Sequence, residues 1–355
     1  MSKPFTTSII EGFYGREWTW AQRFSLPALV AKWQYSSYIY APKGDASLRN
    51  NWAQPFEPSH RVNLENLGAS CHASGLGWGL GLSPVGLQAN YGASDRRLLK
   101  DKVAEIQELN LDVLWILFDD LPAGNPQLAQ NQIAVVNDVK QQLPGVHLAM
   151  CPSYYSFDPI LEDLFGKCPD HYFSDLNAGL TQDIDLLWTG NRVISDGYTG
   201  DDCQRAAELL GRKPLIWDNY PVNDGRKTSR FLHLAPFTGR SSEMAQWCRG
   251  HAVNPMNQFH LSMLVLPTLA AVYTSKGSYN PDLAFKAALA GLPVQLRELM
   301  LRDALLFQEK GLDGISAEEK AELVNSYRKI AHPLAAEVCE WLDEGYRFDP
   351  ACLTD

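Results

Sequence analysis

The sequence predicts an α/β protein: a (β/α)8 TIM-type barrel with a small C-terminal helical appendage. Three observations point there. Eight short apolar runs alternate with eight stretches of helical period. Such alternation gives parallel strands joined by crossover helices, and eight units within residues 1–277 fit the ~250 residues that a barrel of this kind occupies. Nearly every apolar run also ends in a polar or aromatic cluster, as strands do when their carboxyl ends share one rim.

The first run, Thr6 to Ile10, leads into Glu11-Gly12-Phe13-Tyr14-Gly15, and a helical pattern follows from Trp18 to Trp33. Ser37 to Ala41 ends in Pro42-Lys43 and is followed by a helix over Arg61 to Ser74. Gly77 to Leu82 is the third strand. Its Gly-rich surroundings, Gly75 to Gly81, have the wrong spacing for a dinucleotide-binding turn, and neither a phosphate-binding loop nor a nucleophile elbow appears elsewhere. An open doubly wound sheet therefore fits less well. The next helix, Ser94 to Leu109, opens on a capping serine. Val113 to Phe118 is the fourth strand, ending in Asp119-Asp120, and its helix over Pro126 to Gln142 has Pro in the first turn.

His147 to Cys151 ends in Pro152-Ser153-Tyr154-Tyr155 before a helix over Asp158 to Phe165. Ile184 to Trp188 and Pro214 to Trp217 are the sixth and seventh strands, with a helix over Asp201 to Leu210 between them. The seventh runs into Asp218-Asn219 and Asp224, and a helical pattern covers Ser241 to Arg249. A short eighth strand, His251 to Val253, ends at Asn254 and precedes a helix over Gln258 to Tyr273. Beyond it, Asn280-Pro281-Asp282 starts a helix, Ser316-x-x-Glu319 has the form of a capping box, and Pro333 interrupts the helical pattern after Leu323. Residues 1–277 are thus expected to form a catalytic barrel, and 278–355 a helical extension packed on it.

Composition narrows the function. A formal net charge of -10 disfavours nucleic-acid backbones and anionic membranes as partners. The seven cysteines are odd in number and scattered, without a disulfide framework. Cys248-x-x-His251 has ligand-like spacing but no second half, so neither a metal nor a cofactor is expected. Met1 to Phe5 shows no apolar leader core, and the apolar stretch Leu261 to Val272 is too short to span a bilayer and contains Pro267. The expectation is a cytoplasmic protein, with the helical tail as a candidate homodimer surface.

The candidate chemistry lies in Asp119-Asp120, which close the most apolar run in the chain, Leu114 to Phe118. An unpaired carboxylate inside such a run costs several kcal/mol or takes up a proton, so the pair belongs where the strand leaves the core. Glycoside hydrolysis usually sets two carboxyls ~5–9 Å apart across the anomeric carbon, which sequence neighbours do not readily achieve. A different division of labour suits them. One protonates the leaving oxygen while the other orients a nucleophile belonging to the substrate, such as a 2-acetamido oxygen. Mutual repulsion also keeps one of two close carboxyls protonated. The bland readings are a helix cap or a cation ligand.

Glu11-Gly-Phe-Tyr-Gly-Arg-Glu-Trp18, Tyr38-Ile-Tyr-Ala-Pro-Lys43, Phe118-Asp-Asp120, Trp217-Asp-Asn219 with Asp224, Gly239-Arg-Ser241 and Asn254-Pro255 together resemble glycoside hydrolase family 84. That family comprises the O-GlcNAcases and bacterial β-N-acetylglucosaminidases. The motifs keep family order over roughly residues 5 to 290. The resemblance implies a (β/α)8 barrel and a retaining exo-β-N-acetylglucosaminidase that proceeds through an oxazoline. It implies that Asp119 orients and polarises the acetamido group and that Asp120 is the general acid and then base. Asn219 would contact the acetamido group, and Tyr155 and Trp217 would wall its pocket, although a one-residue slip would exchange Tyr155 with Tyr154. Gly12 through its backbone, Lys43, Asp224 and Asn254 would contact sugar hydroxyls. The implied partner is a β-GlcNAc-bearing glycoconjugate or oligosaccharide.

Two departures touch rim loops. Gly44-Asp45 follows Lys43 where relatives often have an acidic residue directly, and Tyr220-Pro221-Val222 differs from the commoner sequence. Both bear on substrate preference. The alternatives are a hydrolase of hyaluronan, chitin or peptidoglycan fragments, and a non-catalytic GlcNAc-binding barrel.

Overall fold

The computed structural model describes residues 4–275 and 277–354. Met1–Lys3, part of the segment read above as lacking a leader core, lie outside the described residues. Among the described residues, eight parallel strands close a barrel in chain order, and the last pairs back onto the first. They are β1 Thr6–Glu11, β2 Ser37–Tyr40, β3 Gly77–Leu82, β4 Val113–Leu117, β5 His147–Cys151, β6 Asp185–Trp188, β7 Leu215–Asp218 and β8 Gly250–Val253. Each boundary falls within one residue of its apolar run. The runs are continuous because barrel strands are covered on both faces, by helices outside and by packed side chains inside. In β4, four of five residues are buried.

The Gly-rich third strand has a packing explanation. A Cβ on Gly81 would lie 2.5 Å from Ala41 Cβ and 2.7 Å from Leu117 Cδ1. The glycine is there to let side chains of both neighbouring strands approach, and no phosphate loop is involved.

The helices differ more from expectation. The first spans Trp20–Lys32 because Thr19 caps it: its hydroxyl accepts the Gln22 N–H while Gln22 returns a bond to the Thr19 N–H. Trp18 stays outside, buried against Phe259 and donating to the Met256 carbonyl at 3.2 Å. Ser94 does not cap its helix. Ala93–Gln107 is capped from within, by Asp95 accepting the Gly92 N–H at 2.8 Å. The helical pattern at Ser241 to Arg249 shortens to Met244–Trp247, because Arg240 is held in the rim and Arg249 N–H already donates to Pro214. One helix, Tyr172–Gly179, carried no legible signal: it is two turns long and enters through His171 in a left-handed conformation.

Phe259–Thr274 is apolar nearly all round, with ten of its sixteen residues buried. No helix among the described residues is long and apolar enough to cross a membrane. Helices Pro281–Leu289, Val294–Glu309, Ala317–Arg328 and Pro333–Leu342 follow. They share one hydrophobic cluster with the barrel. Glu337 accepts the His260 and Leu261 N–H groups at 3.0 and 2.9 Å, satisfying donors at the start of Phe259–Thr274. Trp341 donates to the Ser229 carbonyl at 3.3 Å.

Candidate active site

Successive side chains on an extended strand face opposite ways, so Asp119 shares the interior parity of Trp115 and Leu117, and Asp120 should turn outward. It does not, because Asp120 adopts φ 57. This left-handed conformation, uncommon outside glycine but tolerated by Asp, breaks the alternation. Both carboxyls consequently line one cavity at the carboxyl rim, with about 460 Å³ of space between its walls, solvent side included. All nine residues nominated from the sequence line that cavity: Gly12, Lys43, Asp119, Asp120, Tyr155, Trp217, Asn219, Asp224 and Asn254.

The two carboxyls have different surroundings. Asp119 is 5% exposed and its Oδ2 is paired with the buried Lys43 ammonium. Its Oδ1 is buried and meets no hydrogen-bond partner among the described residues. Among the described residues, no cationic side chain pairs directly with Asp120. Its Oδ1 accepts from the Tyr155 hydroxyl at 2.7 Å and its Oδ2 from the Tyr14 hydroxyl at 3.1 Å. Burial first, and then the Asp119 charge, push the Asp120 carboxyl above the ordinary carboxylate range, against the opposing pull of Lys43 and Tyr155. Burial and the adjacent carboxylates raise the pKa of both phenols.

The remaining residues form a hydrogen-bonded wall. Trp217 stands beside Trp115, ring centroids 6.1 Å apart, and its indole N–H donates to Asn219 Oδ1 at 2.9 Å. Asn254 Nδ2 donates to the same oxygen at 3.1 Å, while Asn219 Nδ2 donates to the Val193 carbonyl at 3.0 Å. Gly12 N–H donates to Asn254 Oδ1 at 3.2 Å, and a Cβ on Gly12 would lie 2.5 Å from the Trp217 ring. Only glycine lets that indole stand where it does. Asp224 Oδ2 accepts the Tyr14 N–H at 2.7 Å, and burial raises its carboxyl to about 6. Of the two tyrosines after β5, Tyr155 faces the cavity, whereas Tyr154 donates to the Gly166 carbonyl at 2.6 Å.

Two further rim carboxylates are clamped rather than offered. Glu11, at the end of β1, is fully buried under the Arg23 guanidinium (3.0 Å to Oε2, 2.5 Å to Oε1) and also accepts from Tyr38. Asp218, at the end of β7, is likewise buried: Arg240 grips both oxygens at 2.7 and 2.8 Å, and His251 Nε2 donates at 2.9 Å. Burial opposes ionisation of Asp218, but Arg240 and His251 outweigh it and hold the carboxyl well below the usual range. The Cys248-x-x-His251 spacing thus has a packing role, with Cys248 Sγ 3.4 Å from Cys203 Sγ and His251 between Asp218 and Tyr273.

Two side chains that hold Asp120 were not nominated from the sequence. Tyr14 joins the site at both ends, through its hydroxyl to Asp120 and its N–H to Asp224, and its signal was its place in the Glu11–Trp18 motif. Arg49 reaches the Asp120 carbonyl at 3.4 Å and lies over the Tyr14 ring at 5.5 Å. It follows a short 3-10 turn, Ala46–Leu48, in a loop with no pattern to mark it.

A parallel eight-stranded barrel with a carboxyl pair and aromatic walls at its carboxyl rim has the architecture of a glycoside hydrolase. The β-N-acetylglucosaminidase family model matches residues 7–302, and the chain belongs to that family, glycoside hydrolase family 84. The chain is 28% identical over 285 residues to the protein O-GlcNAcases of Rattus norvegicus and Mus musculus, a match covering 77% of this chain. It spans 30% of the length of those relatives. An O-GlcNAc hydrolase of Thermobaculum terrenum, solved as a mutant, superimposes with a TM-score of 0.77 at 25% identity, over 95% of this chain and 80% of that one.

Proposed function

We propose that this protein is a retaining exo-β-N-acetylglucosaminidase that uses the 2-acetamido group of its substrate as the nucleophile. The observation that carries the proposal is the buried, unpartnered Oδ1 of Asp119 inside the pocket. A buried acceptor without a donor costs about 1–3 kcal/mol, and the N–H of an acetamido group at C2 of a bound sugar supplies one. Lys43 holds the other oxygen, so the free Oδ1 accepts from that N–H and aims the acetamido oxygen at C1.

In the first step the acetamido oxygen attacks C1, the bond from C1 to the aglycone oxygen breaks, and the Asp120 proton passes to the departing oxygen. Asp119 stabilises the positive charge that grows on the acetamido group as the oxazoline closes. In the second step Asp120, now a carboxylate, removes a proton from water as water attacks C1, and the ring opens to β-GlcNAc. Two inversions at C1 give retention. Glu11 and Asp218, locked by guanidinium groups, are unsuited to serve as an enzyme nucleophile. Trp217 and Tyr155 suit the walls of the acetamido pocket, and Asp224 suits a sugar hydroxyl. The substrate is a terminal β-linked GlcNAc on a glycoconjugate or oligosaccharide, and residues 278–355 serve as a helical buttress for the barrel.

The test is a pair of variants on two aglycones. Asp120→Asn should lose ~10²–10⁴-fold in kcat/KM on alkyl or sugar leaving groups, and stay within about tenfold of wild type on a dinitrophenyl glycoside that needs no proton. Asp119→Asn should lose ~10²–10³-fold on both. Equal losses in the two variants across both aglycones are incompatible with these roles.

A further inference from the structure

Fifteen of the seventeen residues lining the catalytic cavity sit at or just after the carboxyl end of a barrel strand; the other two are Cys352 and Thr354. They come from a segment that leaves helix Pro333–Leu342 and crosses the rim. Arg16 lies over the Tyr346 ring at 4.8 Å, and Arg226 over the Phe348 ring at 5.0 Å. Between them the Arg347 carbonyl would be 3.4 Å from a Cβ on Gly15. The segment is therefore seated on two loops, those following β1 and β7.

A turn then redirects the chain. Asp349 accepts the Ala351 N–H on its side chain and the Cys352 N–H on its carbonyl, both at 2.9 Å. Beyond the turn, Cys352 is 8% exposed, Leu353 is 51% exposed, and Thr354 lines the cavity. That in-out-in order is the alternation of an extended chain with one edge against a pocket. The inward residues are small, so they close the space without filling it.

We propose that Cys352 and Thr354 form a specificity-determining wall of the sugar pocket, a wall carried by the C-terminal segment and absent from the barrel itself. This rests on the glycosidase reading above. The wall narrows the pocket on the side of Tyr14, so it adds contact to a small bound glycoside and obstructs bulky substituents that leave the pocket there. Its seating depends on Tyr346 and Phe348, upstream of the wall, so the last residues are removable without disturbing the anchor.

The experiment compares wild type, a chain ending at Pro350, and Cys352→Trp, each on an aryl β-GlcNAc glycoside and on a GlcNAc-bearing glycopeptide, with Tm measured in parallel. Truncation should raise KM for the aryl glycoside several-fold at nearly unchanged kcat. It should also raise the glycopeptide-to-aryl ratio of kcat/KM at least threefold, with Tm within about 2 °C of wild type. Cys352→Trp fills the space and should raise KM for both substrates tenfold or more while kcat at saturation is kept. If the truncated chain does not fold, the KM-against-kcat split of Cys352→Trp decides. A wild type inactive on every β-GlcNAc substrate overturns the functional reading and the wall with it. An active wild type whose variants keep its KM and its substrate ratio overturns the wall alone.

Discussion

Asp218 ends β7 and is buried, and Asp120 lies three residues beyond the end of β4 and is half-buried; both are acids at the carboxyl rim. Asp218 is gripped on both oxygens by one guanidinium and topped by an imidazole; Asp120 receives two phenol hydroxyls and faces a like charge. The first environment drives the carboxyl far below its ordinary range and the second lifts it above. Desolvation acts upward on both, so the partners decide. An arginine fork makes a carboxylate a permanent structural anion, whereas desolvation beside a neighbouring carboxylate, only partly opposed by a phenol donor, makes an acid that gives up its proton less readily.

Removing the fork should break the structural side of this comparison with a large effect. Arg240→Met leaves Asp218 buried with His251 and the Tyr220 N–H but no fixed positive charge, and should cost ~3–5 kcal/mol of stability, read as a fall in the denaturation midpoint, with kcat per folded molecule little changed. A stable variant with lost turnover would mean that Asp218 belongs to the reaction. A smaller effect sharpens the catalytic side. Tyr155→Phe removes the 2.7 Å donor that stabilises the Asp120 carboxylate, so the acid becomes harder to ionise. Its basic pH limb should move up, and kcat should fall about tenfold, the scale of one hydrogen bond to a charged group. An unmoved limb would remove Tyr155 from the tuning of Asp120.

Asp224 gives the smallest effect. Burial holds its carboxyl at about 6, above the ordinary ~3.9, so the folded state binds more protons than the unfolded chain between those values. Stability from this group is therefore full below pH ~4 and declines as pH rises through about 6. Asp224→Asn should flatten that decline in a pH series of thermal melts and erase an acid limb of kcat/KM near 6. A wild-type slope retained in the variant would assign both to another group.

The same contrast explains what was legible in the chain. Barrel strands announce themselves because coverage on both faces demands unbroken apolar runs, and all eight were readable to within a residue. Helix ends were less so, because Gly92 is capped by Asp95 reaching back and carries no capping side chain of its own. The carboxyl pair was legible as a conflict between charge and an apolar run. What turns both members toward one pocket, φ 57 at Asp120, was not, since nothing local in Phe118-Asp119-Asp120 marks that torsion. Nor was the engagement of Lys43 with Asp119, 76 residues apart, or the arrival of Cys352 at the rim, because both depend on tertiary closure.

In the proposed reaction the nucleophile comes from the substrate and is aimed by Asp119. Rates on aryl β-GlcNAc glycosides with zero to three fluorines on the acetyl methyl test it directly, since each fluorine weakens the acetamido oxygen and leaves the aglycone unchanged. A substrate nucleophile requires a steep monotonic fall in kcat/KM, spanning on the order of 10³-fold across the series if each fluorine costs the transition state about 1.4 kcal/mol. A flat response would contradict it and place the nucleophile on the protein.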